Sequence, residues 1–290
     1  MYIIYNPASG RQDMKKLLSV QQALAKHHVF PQLLITEYAG HATELARSVS
    51  GQEGVTVVAA GGDGTIAEVV SGLVGSRARL GLIPLGTSYV LARELGIPAA
   101  PGAIAVILAT SEGRILWPGC LYDTSGIRKI FVQMASVGFD ACVVHNVNCS
   151  LKKRIGRYAY VFQMIHDLFF YDFSSVRMEI DGETCSATGA IVSKGCFYGG
   201  GYRITDCADP SKQGFVVILF EKGGIFSALR YGHAILRNKL GDLPDVRVIR
   251  ARQVKIMGPG SIPLQADGDT AGFTPVMIKD AEAPLLVASA

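Results

Sequence analysis

The sequence predicts an α/β N-terminal domain on a doubly wound parallel sheet, joined to a mostly antiparallel, β-sandwich-like second domain with a cleft between them. Three observations carry this expectation. Over the first hundred or so residues, apolar β-branched runs alternate with segments of helical period. Beyond about residue 113, strand-like runs follow one another with few helices between them. No internal repeat or low-complexity linker separates the halves, so we expect two domains in close contact, residues 1–113 and 114–280.

Taken in order, residues 1–5 read as a strand, and residues 14–27 as a helix with Met14, Leu17, Leu18 and Leu24 at helical spacing. Residues 30–36 form the next strand and 41–50 the next helix. The apolar run 55–60 is a buried strand, residues 66–73 a helix, 80–83 a strand, and 89–95 a helix stopped by Gly96-Ile97-Pro98. In the second half, strands are expected at 115–122, 129–137, 175–180, 184–193, 215–220, 246–249, 253–257 and 262–266. Asp181-Gly182 reads as a hairpin turn. Helices are expected near 151–170 and 225–236.

Composition bounds the function. The 290 residues are 49% hydrophobic, with a mean hydropathy of +0.29. No run reaches the ~18–20 uninterrupted apolar residues of a membrane span. The N-terminus has no basic n-region, so a cytoplasmic protein is expected. A net charge of +4 is too small and too scattered for nucleic acid. Six cysteines form no C-x-x-C pair and read as reduced thiols; the six histidines contain no H-E-x-x-H.

The most informative stretch is Gly61-Gly62-Asp63-Gly64-Thr65, set between the strand 55–60 and a helix. Strand, glycine turn and helix in that order make an anion cradle from exposed N–H groups and a helix dipole. A carboxylate inside it, Asp63, makes sense if it binds magnesium or takes a proton from an attacking hydroxyl. The loop therefore points to phosphoryl transfer. Gly62-x-Gly64-x-x-Ala67 also has dinucleotide-binding spacing, but residues 82–87 lack the acidic residue that motif needs. Neither G-x-x-x-x-G-K-[ST] nor G-x-S-x-G occurs. Two further turns, 6–10 (Asn-Pro-Ala-Ser-Gly) and 84–87 (Pro-Leu-Gly-Thr), fall at strand ends, where open α/β sheets bind ligands.

These motifs together, with Glu68-Val69-Val70-Ser71-Gly72-Leu73, Gly199-Gly200-Gly201, Ala208, Gly214 and Asp267-Gly268-Asp269, resemble the diacylglycerol kinase catalytic-domain family over about residues 1–285. Soluble bacterial lipid kinases look nearest, and sphingosine and ceramide kinases more distant. The resemblance implies ATP- and magnesium-dependent phosphorylation of a lipid hydroxyl, with diacylglycerol the leading acceptor. It also implies peripheral contact with the membrane surface and a C-terminal segment, 281–290, returning to the first domain. Carried over, Asn6, Ser9 and Arg11 would meet the phosphates, and Gly61, Gly62, Gly64 and Thr65 would cradle them. Gly86 and Thr87 would form the opposite wall. Asp63 would hold magnesium through water or act as base, and Asp269 would be the second catalytic carboxylate. Glu68 would support the loop or stand as an ordinary exposed carboxylate.

Two positions depart from the family pattern. Tyr89 stands where an asparagine is usual, and Gln213 where an aspartate helps bind a structural magnesium. The basic run Lys152-Lys153-Arg154, with Arg157, leads into an apolar helix containing Phe162, Ile165, Phe169 and Phe170. That helix reads first as core-packed with a solvated basic end, and second as a dock for anionic headgroups. The alternatives to a diacylglycerol kinase are a kinase of phosphatidylglycerol, of a sphingoid lipid or of NAD, or a degenerate lipid-binding protein.

Overall fold

The computed structural model describes residues 1–9, 13–86, 89–148 and 158–289. It divides into two compact units: Met1–Pro118 with Pro210–Lys212 and Ala281–Ala290, and Gly119–Asp209 with Gln213–Asp280.

The first unit begins β1 (Tyr2–Tyr5), α1 (Asp13–Ala25), β2 (Gln32–Ile35), α2 (His41–Val49), β3 (Thr56–Gly61) and α3 (Asp63–Leu73). It continues with β4 (Arg79–Pro84), α4 (Val90–Glu94), α5 (Pro101–Thr110) and β5 (Arg114–Leu116). The strands order as β2-β1-β3-β4, all parallel, extended by Leu285–Val287 parallel to β4 and then by β5 antiparallel to it. Every residue of the central strand β3 is buried, as a strand covered on both faces requires. Its alternate residues Val58 and Ala60 join Ile3, Tyr5 and Ile83 in a core with Leu17, Val20 and Leu24 of α1 and Ile104 and Leu108 of α5. α2 packs on α3. The sheet is doubly wound, as expected.

The second unit holds β6 (Gly119–Asp123), β7 (Arg128–Phe131), β8 (Met134–Val137), α6 (Phe139–Asn146), α7 (Tyr158–Phe170), β9 (Val176–Ile180) and β10 (Glu183–Ala187). There follow β11 (Gly189–Ser193), β12 (Phe197–Tyr198), β13 (Tyr202–Arg203), β14 (Phe215–Phe220), α8 (Ile225–Leu236) and β15 (Val246–Ala251). β16 (Gln253–Met257), β17 (Pro263–Ala266), β18 (Asp269–Phe273) and β19 (Val276–Asp280) complete it. Two six-stranded antiparallel sheets, β10-β9-β16-β19-β6-β7 and β15-β14-β11-β8-β17-β18, form the sandwich. Alternate residues of both sheets, among them Val176, Met178 and Ile180 of β9 and Phe215, Val217 and Leu219 of β14, meet in one core. The intervening residues Val216 and Ile218 pack instead with Tyr231 and Ala234 of α8.

Several boundaries differ from expectation, each for a local reason. The single strand expected at 129–137 is two, because the chain leaves one sheet at Phe131 and enters the other at Met134. The Asp267 carboxylate accepts the N–H groups of Val132 (2.7 Å), Gln133 (2.9 Å) and Met134 (3.0 Å) at that crossing. The run 184–193 likewise divides at Thr188, and 115–122 divides at Pro118. Helices α5 and α6 and strands β18 and β19 were not anticipated. The Asp181-Gly182 turn is as expected, with positive φ at both residues (48° and 93°). The apolar side of α7 is not core-packed: Phe162, Ile165, Phe169 and Phe170 are exposed. The basic run before α7 lies outside the described residues. No helix among the described residues is long and apolar enough to cross a membrane, and Cys120, Cys142, Cys185, Cys196 and Cys207 carry free thiols.

Candidate active site

In a parallel sheet the loops at the carboxyl ends of neighbouring strands lie side by side. β1, β3 and β4 are neighbours here, so residues 6–9, 62–65 and 85–86 are brought together. Backbone bonds fix the register at that edge, from Asn6 N–H to the Ala60 carbonyl (3.0 Å) and from Leu85 N–H to the Gly61 carbonyl (2.9 Å).

The glycine turn is shorter than the sequence suggests. Strand β3 runs through Gly61 and α3 starts at Asp63, so Gly62 alone connects them. Gly62 is extended (φ −83°, ψ −178°), and Gly61 needs no left-handed conformation. These glycines serve close approach instead. A Cβ on Gly61 would lie 2.5 Å from Thr65 Oγ1, and one on Gly86 would lie 2.8 Å from the Cα of Gly62. The turn after β3 therefore packs backbone to backbone on the turn after β4. Gly62, as N-cap of α3, offers no capping oxygen. The first-turn N–H groups, including that of Gly64, form the end of a helix suited to an anion.

Around this end the side chains interlock. Asn6 Nδ2 donates to Thr65 Oγ1 (3.0 Å), and Asn6 Oδ1 accepts the Ala8 N–H (2.9 Å). Asp63 Oδ1 accepts the N–H of Val90 (3.1 Å), joining α3 to the start of α4. The residue before α4, Tyr89, is left-handed (φ 51°, ψ 37°), a conformation in which asparagine is far commoner than tyrosine. Ser9 closes a short 3-10 turn, Pro7–Ser9. Arg11 and Thr87 lie outside the described residues.

Sequence reasoning missed Lys16. Its Nζ donates to the Pro84 carbonyl (2.8 Å) and stands 5.6 Å from the centroid of the Tyr89 ring, so a cation reaches the loop edge from α1. The signal was present: Lys16 precedes the buried Val20 and Leu24 by one and two intervals of four, on the helix face that meets the sheet. Glu68 does neither of the things expected of it. Its carboxylate accepts the N–H groups of Gly40 (3.0 Å) and Ala42 (3.3 Å), so it caps α2, whose own N-cap is a glycine.

Asp269 belongs to the second unit, exposed at the start of β18. The two-residue turn before it, Asp267 and Gly268, has positive φ at both positions (51° and 84°). Gln265 Oε1 accepts the Gly268 N–H (2.9 Å) while Gln265 Nε2 donates to Asp140 (3.2 Å), and Tyr160 OH donates to the Gly268 carbonyl (2.9 Å). Ser136 and Tyr198 hydroxyls also donate to Asp140, and burial, then the Asp140 charge, pushes the Tyr198 hydroxyl far above its usual range. Gln265 and Tyr160 thus hold the turn that presents Asp269, and Asp140 holds Gln265.

Magnesium fits the first unit in one form only. The described residues contain no cluster of three metal-ligating side chains. A single carboxylate, Asp63, suits an ion that arrives with nucleotide phosphates and keeps most of its waters. A protein-held ion at the Gly214 loop does not fit. There the cation is Lys194, whose buried Nζ donates to the Gly214 carbonyl (2.9 Å) and to Asp280 Oδ1 (2.8 Å), while Asp280 Oδ2 accepts the Gly214 N–H (2.7 Å). Asp206, a few residues before Gln213, is paired with Arg203.

Residues 1–115 match the family model described as diacylglycerol kinase catalytic domain, and residues 133–288 match the YegS C-terminal NAD kinase beta sandwich-like domain. The chain is 30% identical to a diacylglycerol kinase of Mycobacterium tuberculosis, over 97% of this chain and 92% of that protein. It is 29% identical to a diacylglycerol kinase of Bacillus subtilis, over 94% and 90%. A crystal structure of a diacylglycerol kinase from Bacillus anthracis shares the fold, with a TM-score of 0.76 at 19% identity, covering 100% of this chain and 96% of that one.

Proposed function

The chain belongs to the diacylglycerol kinase family and is a lipid kinase, and from that premise we propose that it moves the γ-phosphate of ATP to the free hydroxyl of diacylglycerol, with magnesium. The observation that supports this most is the joining of three strand-end loops by the Asn6–Thr65 bond and the Gly62–Gly86 approach, around an uncapped helix end. Backbone N–H groups from Gly62 to Thr65 hold the phosphates, Asn6 keeps Thr65 turned, and Lys16 adds positive charge at the Pro84 edge. The Ser9 and Arg11 loop, Gly86 and Thr87 complete the nucleotide side.

In the reaction the acceptor oxygen forms a bond to the γ-phosphorus as the bond between that phosphorus and the β,γ-bridging oxygen breaks. The hydroxyl proton passes to an aspartate carboxylate, Asp63 or Asp269, and ADP leaves with the bridging oxygen. Magnesium bound beside Asp63 would neutralise charge on the transferred group. Most of the rate would come from positioning and charge, so the two carboxylates differ in what their loss does. Asp63→Asn should abolish transfer and weaken magnesium-dependent nucleotide binding, whereas Asp269→Asn should abolish transfer with nucleotide binding intact.

The protein would act from the cytoplasm with transient contact to a membrane surface. The test is transfer of labelled γ-phosphate to diacylglycerol, monoacylglycerol, phosphatidylglycerol, ceramide, sphingosine and NAD, with Asp63→Asn in parallel. Labelled phosphatidic acid that vanishes in the variant is the expected result. Label on another acceptor alone would overturn the choice of diacylglycerol.

A further inference from the structure

We propose that the ammonium of Lys194 serves as the second unit's own structural cation, filling by covalent tether the place at the Gly214 turn that a divalent ion would otherwise take. Lys194 follows β11, and its backbone N–H donates to the Gln133 carbonyl (2.8 Å). None of its side chain meets solvent. A buried charge is costly unless it finds partners, and Lys194 finds oxygens. Its Nζ donates to the Gly214 carbonyl (2.9 Å) and to Asp280 Oδ1 (2.8 Å), while the other oxygen of Asp280 accepts the Gly214 N–H (2.7 Å). The ammonium, the Gly214 peptide and the Asp280 carboxylate thus close a ring of hydrogen bonds. The turn in that ring has little freedom. Gly214 is left-handed (φ 85°), and a Cβ on it would lie 2.8 Å from the Ala251 carbonyl oxygen.

A backbone carbonyl and a carboxylate are also the oxygens that a hard divalent cation takes. Burial pushes the Lys194 ammonium below its usual range, and the bond to Asp280 and the charge of Asp209 push it back, so two carboxylates favour a cation here. One neighbour suits an ammonium and not a metal. The Phe215 ring, 5% exposed and part of the sandwich core, has its centroid 4.9 Å from Nζ. Such a ring attracts an ammonium through its face and offers a hydrated metal no ligand. Beside the ring of bonds stands Gln213, exposed and uncharged, at the position where the family pattern has a carboxylate for magnesium. The two positions answer each other: the cation comes from within the chain, and the carboxylate that a metal would need is gone. The second unit therefore keeps its fold without bound metal.

The test is a thermal melt of the full chain, without nucleotide or lipid, in chelator and in magnesium or calcium chloride, against sodium chloride of equal ionic strength. Metal content after dialysis is read beside it by mass spectrometry. Wild type should hold no stoichiometric divalent ion and melt alike throughout. Gln213→Asp should do the same, because the ammonium still fills the place. Lys194→Met removes one partner of a buried pair and should melt on the order of 10 °C lower in chelator. Lys194→Met/Gln213→Asp exchanges the ammonium for a carboxylate. It should take up about one divalent ion per chain and regain about 5 °C or more with it. Wild-type protein that carries a divalent ion, or melts lower in chelator, would overturn the proposal. A Gln213→Asp protein with a metal-dependent melt would do so too, and at that exposed position the variant keeps the fold. A double variant that no divalent ion stabilises would also overturn it, leaving Lys194 as an ordinary buried ion pair. No measurement here uses ATP or an acceptor, so the kinase reading stands or falls separately.

Discussion

Gly62 and Gly86 touch, yet an alanine at each should have a different consequence. At Gly62 the new Cβ meets only the Cα of Gly86, at 3.7 Å, an ordinary van der Waals distance, on a backbone open to any residue. Replacing a glycine N-cap by alanine costs about 0.5 kcal/mol, and the stiffer unfolded chain returns a similar amount. The melting temperature of Gly62→Ala should therefore stay within about 2 °C of wild type. What the methyl does fill is the space before the helix end. If a phosphate sits there, it loses a charge-assisted N–H bond of roughly 1.5–3 kcal/mol, and the KM for ATP rises about tenfold to a hundredfold. At Gly86 the Cβ would lie 2.8 Å from backbone, so the two turns must part, at a cost of about 1–3 kcal/mol. Gly86→Ala should lower both the melting temperature and ATP affinity. The assays are a thermal melt and ATP saturation with a short-chain monomeric acceptor. A Gly62→Ala protein that melts normally and keeps wild-type KM would refute the phosphate cradle, because nothing in the protein itself explains a glycine there.

Other residues give sharper tests of roles the structure reassigns. Glu68→Ala should destabilise by about 1–2 kcal/mol through the lost cap of α2, seen as a lower denaturant midpoint, while ATP KM in the folded fraction stays unchanged. A raised KM at normal stability would return Glu68 to the loop. Tyr89→Asn relieves a left-handed tyrosine at about 1 kcal/mol and loses a ring contact to Lys16 of about 0.5 kcal/mol, so the melt should rise slightly; a clear fall would show the ring packs more than it strains. Burial pushes the Asp245 carboxyl up, but the Tyr231 hydroxyl at 2.6 Å and Arg230 outweigh it and hold it below the usual 3.8. A depressed folded-state value stabilises above the unfolded one and is lost as pH falls through it. Tyr231→Phe should therefore lose more stability at pH 7 than below about pH 3, which paired denaturant titrations would read; an equal loss at both would refute the linkage.

The parallel sheet was legible because β-branched runs and helical periods alternate cleanly, and the loops because glycine, asparagine and aspartate mark strand ends. The errors in strand bounds share one cause: composition does not say where a chain changes partner. The runs 129–137 and 184–193 keep a strand's composition throughout, yet each crosses from one sheet to the other, and the crossing near Gln133 is held by Asp267, more than a hundred residues away. Helix α5 was missed because its 101–110 segment is apolar almost all round, leaving no period to detect. Gly61 and Gly64 looked like turn residues because glycine in a motif suggests freedom of φ. Here Gly61 is chosen for contact with Thr65, which a one-dimensional reading cannot distinguish. α7 extends the same lesson. Periodicity shows that the helix has an apolar side, but only the fold shows Asp167 turned inward, with Asn146 and Gln163 donating to it, and the rings left outside.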